Sequence, residues 1–263
     1  MSDAGLALRQ VRYTNKAFWR NPASAFFTFA FPLMFLVIFT ALFGNSRLCS
    51  LGPGQCPPGE VISTSTFYVA AIAAFSIITA TYTNLAISVS FSRDAGVLKR
   101  TRGTPLPAWA YMFGRIVHAI LVALLLVAIV MAFGTLFYDA EVPTRTLPAF
   151  LATIVVGAAC FSALGLALTS VIPNADASPA IVNASILPLL FLSGIFIPIQ
   201  NPDAWYVAVA KIFPVYHFAQ AMNGAYFAPS GSGFRGEDLL VLGIWGVAGV
   251  VLAVLFFSWE PRR

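Results

Sequence analysis

Five cations, Arg93, Lys99, Arg100, Arg102 and Arg115, crowd into one stretch between two long uncharged runs, in a chain of which only 10% is Asp, Glu, Lys or Arg. Side chains of this type and density hold acidic surfaces or lipid headgroups by electrostatic attraction. Little else in the sequence is equipped to react. The two histidines, His118 and His217, are far apart, so no metal site or His-based triad assembles locally. Each reads instead as an interfacial packing or hydrogen-bonding residue. Asp139 and Glu141 form a close acidic pair, better explained as a solvated loop than as a general acid and base. None of Lys16, Lys99 and Lys211 follows a glycine, so there is no phosphate-binding loop, and this chain is expected to bind no cofactor.

The elements that position these cations are membrane spans. With 59% hydrophobic residues in 263, the chain lies outside the roughly 45 to 50% of soluble domains. A bilayer core needs roughly 20 apolar residues, and windows of that length fall near 24–43, 67–91, 116–137, 148–172, 180–199 and 239–257. The expectation is an all-α integral membrane protein, a single transmembrane domain over 1–263 with six spans. The first window begins too late and runs too long for a cleaved leader, so it is expected to remain in the mature chain. Arg9, Arg12, Lys16, Arg20, the five loop cations, Arg262 and Arg263 fall on one side of such a topology, against Arg47, Arg145, Lys211 and Arg235 on the other. By the positive-inside rule both termini face the cytoplasm. The net charge of +5 is thus a topology signal, and nucleic acid is not an expected partner. The windows contain no Asp, Glu, Lys or Arg, which argues against ion-coupled transport by the chain itself.

Arg9, Arg12, Lys16 and Arg20 recur at spacings of three, four and four, which places them on one stripe of a helix with Ala7, Val11 and Phe18 opposite. This is either an amphipathic helix lying in the membrane interface or a simple topogenic cluster. Between Ser92 and Arg115, Asp94 near the start and Lys99, Arg100 and Arg102 near the end suit the dipole of a short helix, with Gly103 and Pro105 stopping it. Cys49 and Cys56 share a Gly/Pro-rich external loop, where a disulfide is one reading and free thiols the other.

The string from Gly96 through Val97, Leu98, Lys99, Arg100 and Arg102 to Thr104, Pro105 and Leu106 resembles the cytoplasmic loop of permease subunits of type 2 ATP-binding-cassette exporters. A second block agrees: Pro188, Phe191, Ser193, Gly194, Phe196 and Pro198, then Asn201 and Trp205, then Pro214 and Tyr216. It is similar to that family's fifth span and the re-entrant hairpin leading to the sixth. The resemblance covers essentially the whole chain. It departs at Ser92, where Glu is common, at Thr101, where Leu is usual, and at Met222 and Asn223, near where an Arg often closes the hairpin.

The resemblance implies that residues 92–107 form a coupling helix docked on a separate ATPase subunit, present in two copies and carrying ATP and Mg. Asp94, Gly96, Val97, Leu98, Lys99, Arg100, Arg102, Thr104 and Pro105 would make that contact, with Val97 and Leu98 exposed as its apolar anchor. The N-terminal helix would brace it. A second permease subunit, an identical one by expectation, would complete the path, and the assembly would sit in lipid in the cell membrane. It would export an amphipathic or hydrophobic drug, antibiotic or lipid. The alternatives are export of a lipid-linked polysaccharide or envelope precursor, and a non-transporting membrane anchor for an ATPase sensor. Thr81, Asn84, Ser88, Asn183 and Ser185 either line a path or bond backbone and neighbouring helices. Phe196, Pro198, Trp205, Phe213 and Tyr216 form either an external plug or the outer aromatic belt. Ala159, Ala163 and Ala167, with Gly243, Gly246 and Gly249, are expected to serve close helix packing.

Overall fold

The computed structural model describes residues 3–43, 47–49, 61–199, 201–227 and 231–260. Helix α1 (Asp3–Trp19) leads into α2 (Pro22–Phe43). Strands β1 (Arg47–Cys49) and β2 (Val61–Ser63) pair antiparallel, Arg47 opposite Ser63, a feature absent from an all-helical expectation. Then come α3 (Thr64–Ile78), a π-helical turn (Thr79–Thr83), α4 (Asn84–Asp94), α5 (Val97–Arg102) and α6 (Ala108–Tyr138). The chain continues through α7 (Leu147–Leu168), α8 (Ser178–Leu192), α9 (Trp205–Ala210), α10 (Pro214–Phe227) and α11 (Gly236–Phe256).

Among the described residues, five helical stretches are long and apolar enough to cross a membrane: Ala25–Phe43, Thr64–Asp94, Trp109–Tyr138, Leu147–Leu168 and Gly236–Phe256. This is the architecture of a multi-pass membrane protein. The fifth sequence window corresponds to α8, a shorter apolar helix of 15 residues, which at 1.5 Å per residue covers about 22 Å. Hydropathy continues to Ile199, but the backbone does not: Gly194 takes φ +86°, a left-handed turn that ends the helix. The fourth window likewise runs past Leu168, where α7 gives way to hydrogen-bonded turns at Thr169 and Ser170.

The second span is the hub. Every residue of α3 is buried, so its apolar run needs no amphipathic pattern. Below it the π turn carries one extra residue per turn, the Asn84 N–H reaching back to the Thr79 carbonyl. There the backbone of Tyr82 approaches α7 at Gly165, where an added Cβ would stand 2.9 Å from the Tyr82 carbonyl oxygen.

Helices α7 and α11 pack backbone to backbone. A Cβ on Gly246 would lie 3.4 Å from Cys160 Cα, and one on Gly249 would lie 2.9 Å from the Leu164 nitrogen, with Ala163 alongside. Small residues therefore do permit this contact, as close-packed membrane helices require. Gly243 meets nothing within 4 Å and has no part in it.

Candidate functional site

At the end of the bundle where α1 lies, the chain leaves α4 and returns into α6 through a short exposed helix whose ends are set by Gly96, Gly103 and Thr104. Gly96 adopts φ +70° and ψ 9°, where it closes α4 through a bond from its N–H to the Arg93 carbonyl and opens α5 by accepting from Arg100. A β-carbon there carries the left-handed penalty of roughly 1 to 2 kcal/mol. Asp94 therefore ends α4 and does not start the short helix, a correction to the sequence reading that follows from this glycine break. The far end is closed by Gly103, whose N–H reaches Lys99 and Arg100, and by Thr104, whose hydroxyl donates to the Thr101 carbonyl at 2.6 Å.

Leu98 is fully buried, so it is not the exposed anchor that the sequence suggested. It inserts among Leu85, Val89, Tyr111, Leu166, Ala167 and Ala253, with Phe257 and Trp259 packed against the same cluster. Full burial of a leucine side chain contributes about 2 kcal/mol, enough to peg a six-residue helix to the bundle. Val97, by contrast, is 45% exposed. Lys99, Arg100 and Arg102 are exposed, as are Thr104 and Pro105, and none of the three cations ion-pairs with a carboxylate among the described residues. The exposed surface of α5 thus carries one apolar side chain, Val97, and three cations.

Two members of the basic cluster are not on that face. Arg93 is buried and donates to the Thr169 carbonyl at 2.9 Å and the Ile172 carbonyl at 2.7 Å, satisfying groups at the C-terminal end of α7, where a cation is also favoured by the helix dipole. Asp94 beside it accepts from the Ala175 N–H. Together they clamp the end of α4 to the connection between α7 and α8. Arg115 turns inward too, its guanidinium held by Tyr111, Ser88 and Ser92.

Helix α1 carries Arg9, Arg12 and Lys16 on its exposed side and Arg20 just beyond its end, while Ala7 is buried and Phe18 packs on His118 and Phe29. It rests on α6, where Gly114 leaves room for the Gln10 side chain: an added Cβ would stand 2.5 Å from Gln10 Cγ.

Of the polar residues of the spans, Asn84 and Ser88 line one cavity, and Thr81, Asn183 and Ser185 are not brought to it. Thr81 is buried and donates to Ile77, Ser88 donates to Leu85, and Ser185 donates to Val182 while meeting the Tyr82 hydroxyl at 2.8 Å. Asn84 bridges to Thr28 of α2, and Asn183 is exposed on α8. The five aromatic and proline positions are scattered as well. Phe196 is buried against Phe35, Phe39, Phe75 and Phe191, whereas Trp205 is 79% exposed beside Tyr206. Pro198 follows the Gly194 turn, Phe213 stacks on Trp245, and Tyr216 touches His217. The Cys49 to Cys56 bond rests on a residue outside the described ones.

One cluster escaped the sequence reading. Asp238, buried near the start of α11, accepts from Arg235 Nε at 2.6 Å and bonds His217 Nδ1 at 2.8 Å, while His217 Nε2 meets the Lys211 carbonyl. It ties α10 to α11. His217 is therefore a hydrogen-bonding residue, and the Asp-to-His separation of 21 positions gave no local signal. The stacked pair Phe213 and Trp245 lies ten residues into α11, so α10 begins about 14 Å below the end of that helix. Among the described residues no His, Cys, Asp and Glu group is placed to hold a metal ion.

The family model for the ABC-2 type transporter matches residues 9–227. A "Probable multidrug ABC transporter permease YbhR" of Escherichia coli strain K12 is 28% identical over 141 residues, covering 53% of this chain and 38% of that protein. A "Putative transport permease ycf38" of Porphyra purpurea is 21% identical over 245 residues, covering 91% of this chain and 79% of that protein. The match to the first of these relatives thus spans well under half of its length.

Proposed function

The chain belongs to the ABC-2 type transporter family, a membrane transport component and not a catalytic subunit, and from that membership we propose that it is the membrane-spanning subunit of an ATP-driven exporter. Its cargo is a hydrophobic or amphipathic compound such as a drug, an antibiotic or a lipid. A separate ATPase, in two copies, supplies ATP and Mg chemistry and docks on α5. A second, identical permease subunit completes the path across a symmetric interface. The similarity to a protein named as a multidrug permease supports the cargo class.

The observation that carries this reading is the face of α5: Val97 exposed among Lys99, Arg100 and Arg102, on a helix pegged by Leu98 and braced by the clamp at Arg93 and Asp94. An exposed apolar side chain on the same short helix as three exposed cations suits a specific protein contact, and a rigidly held helix can pass rigid-body motion of that partner to α4, α7 and α8. The orientation follows from the charge distribution, with α1, α5 and both termini in the cytoplasm of the cell that holds the protein in its cytoplasmic membrane. In this arrangement α8 is the sixth crossing element, and α9 with α10 forms a re-entrant hairpin from the outside, supported by the depth at which Phe213 meets Trp245.

The test is co-purification of the membrane subunit with its ATPase, together with ATP-dependent efflux. Val97→Asp is expected to abolish both, and charge reversal at Lys99, Arg100 and Arg102 to weaken association in a salt-dependent way. Unchanged association in both variants rules out docking on this face, and association without efflux of any amphipathic compound favours a membrane anchor.

A further inference from the structure

Beside α5 lies a cavity of about 680 Å³ between α1, α4, α5 and α6. Its lining combines apolar side chains such as Phe18 and Val122 with Asn84, Arg115 and His118. Arg115 is half-buried there, with Nε donating to the Tyr111 hydroxyl at 3.1 Å, Nη1 to Ser88 at 3.3 Å and Nη2 to Ser92 at 3.1 Å. All three acceptors are neutral, and among the described residues Arg115 has no carboxylate within ion-pair distance. The guanidinium is therefore fixed in direction but not neutralised. Of its five N–H groups three are used, which leaves one on each terminal nitrogen. One turn further along α6, His118 is 8% exposed and its Nδ1 has no hydrogen-bond partner. A cation without a counter-charge costs free energy, and an oxyanion in the cavity relieves that cost.

We propose that this cavity binds the phosphodiester headgroup of an anionic membrane amphiphile. Two N–H groups of Arg115 meet two oxygens in the paired geometry that guanidinium favours, and the acyl chains run outward past the exposed rim at Tyr13 and Phe91. Val97 and Thr101 of α5 also line the cavity, so the occupant reaches the half-exposed edge of α5 that carries Val97. Binding would brace α1, α4 and α6 around α5. The site stands whether or not the chain acts as an exporter, because it is defined by binding alone.

The full chain, purified in neutral detergent, is titrated with phosphatidylglycerol, with phosphatidylcholine of the same acyl chains, or with glycerol 3-phosphate, and thermal unfolding is followed. Phosphatidylglycerol is expected to raise Tm, and the other two to leave it unchanged. Arg115→Gln is expected to weaken the apparent phosphatidylglycerol affinity about tenfold by removing charge-assisted hydrogen bonds. Ala17→Phe, which fills the cavity from its exposed rim, is expected to do the same, and it carries the test alone if the Arg115 variant does not fold. Lys211→Gln, a cation removed far from the cavity, keeps the wild-type response. Equal shifts with the two lipids, or wild-type affinity in Ala17→Phe, overturn the proposal. A Tm rise with glycerol 3-phosphate overturns the lipid assignment in favour of a free phosphate.

Discussion

The guanidinium of Arg93 donates to the carbonyl of Ile172 at 2.7 Å, across 79 positions of sequence, and thereby fixes the end of α4 to the turn that follows α7. Replacing it with Leu leaves two buried carbonyl groups unsatisfied while keeping much of the volume. The expected loss is roughly 2 to 4 kcal/mol, read as a lower unfolding midpoint in detergent. Arg93→Lys, which presents one ammonium where two directed donors are needed, is expected to recover only part of it.

Gly96 meets nothing within 4 Å of an added Cβ, so only its left-handed backbone resists substitution. Gly96→Ala is expected to cost roughly 1 kcal/mol, and Gly96→Asn less, because Asn visits this conformation more readily. Gly96→Val is expected to exceed both. A series in which Asn destabilises as much as Val would show that space and not dihedral angle limits the site.

The two glycines Gly243 and Gly249 lie on one helix but in opposite situations. Gly249→Ala drives a methyl group into the Ala163 and Leu164 backbone, with an expected cost of roughly 1 to 3 kcal/mol and a lower yield of monodisperse protein. Gly243→Ala faces open space and is expected to stabilise by roughly 0.5 to 1 kcal/mol through helix propensity.

Asp238 serves two donors, His217 and Arg235, and only it and His217 are well shielded. Asp238→Ala is expected to destabilise by roughly 2 to 3 kcal/mol, because it strips partners from both. Arg235→Ala removes a half-exposed group and is expected to cost under about 1 kcal/mol. Thermal melts of the two variants in the same detergent compare them directly, and equal losses would place the weight on Arg235.

Spans were legible because a bilayer demands long apolar runs, and the short exposed helix because its cations interrupt them. The end of α8 was not, since Ile195, Phe196 and Ile197 keep the hydropathy high after Gly194 has already turned the chain. Leu98 was misread because six residues of helix give no periodic pattern to say which face meets the bundle. Arg93 was counted with its neighbours because charge counting treats all cations alike. Its position held a signal nonetheless: Ala86, Val89, Ser90 and Arg93 follow helical spacing, and all four are buried on one stripe of α4. The hydroxyl-bearing span residues could not be assigned from sequence, since bonding one's own backbone and facing a path call for the same side chains.

The π turn at Thr79–Thr83 sets the angular phase of everything that follows it. Forcing the same residues into an ordinary α-helix would keep its length nearly the same, yet rotate α4 by about 100° about its axis. Arg93 would swing away from the carbonyls it caps and Leu98 away from its socket, so a helix that still spans the bilayer would present the wrong face at its end.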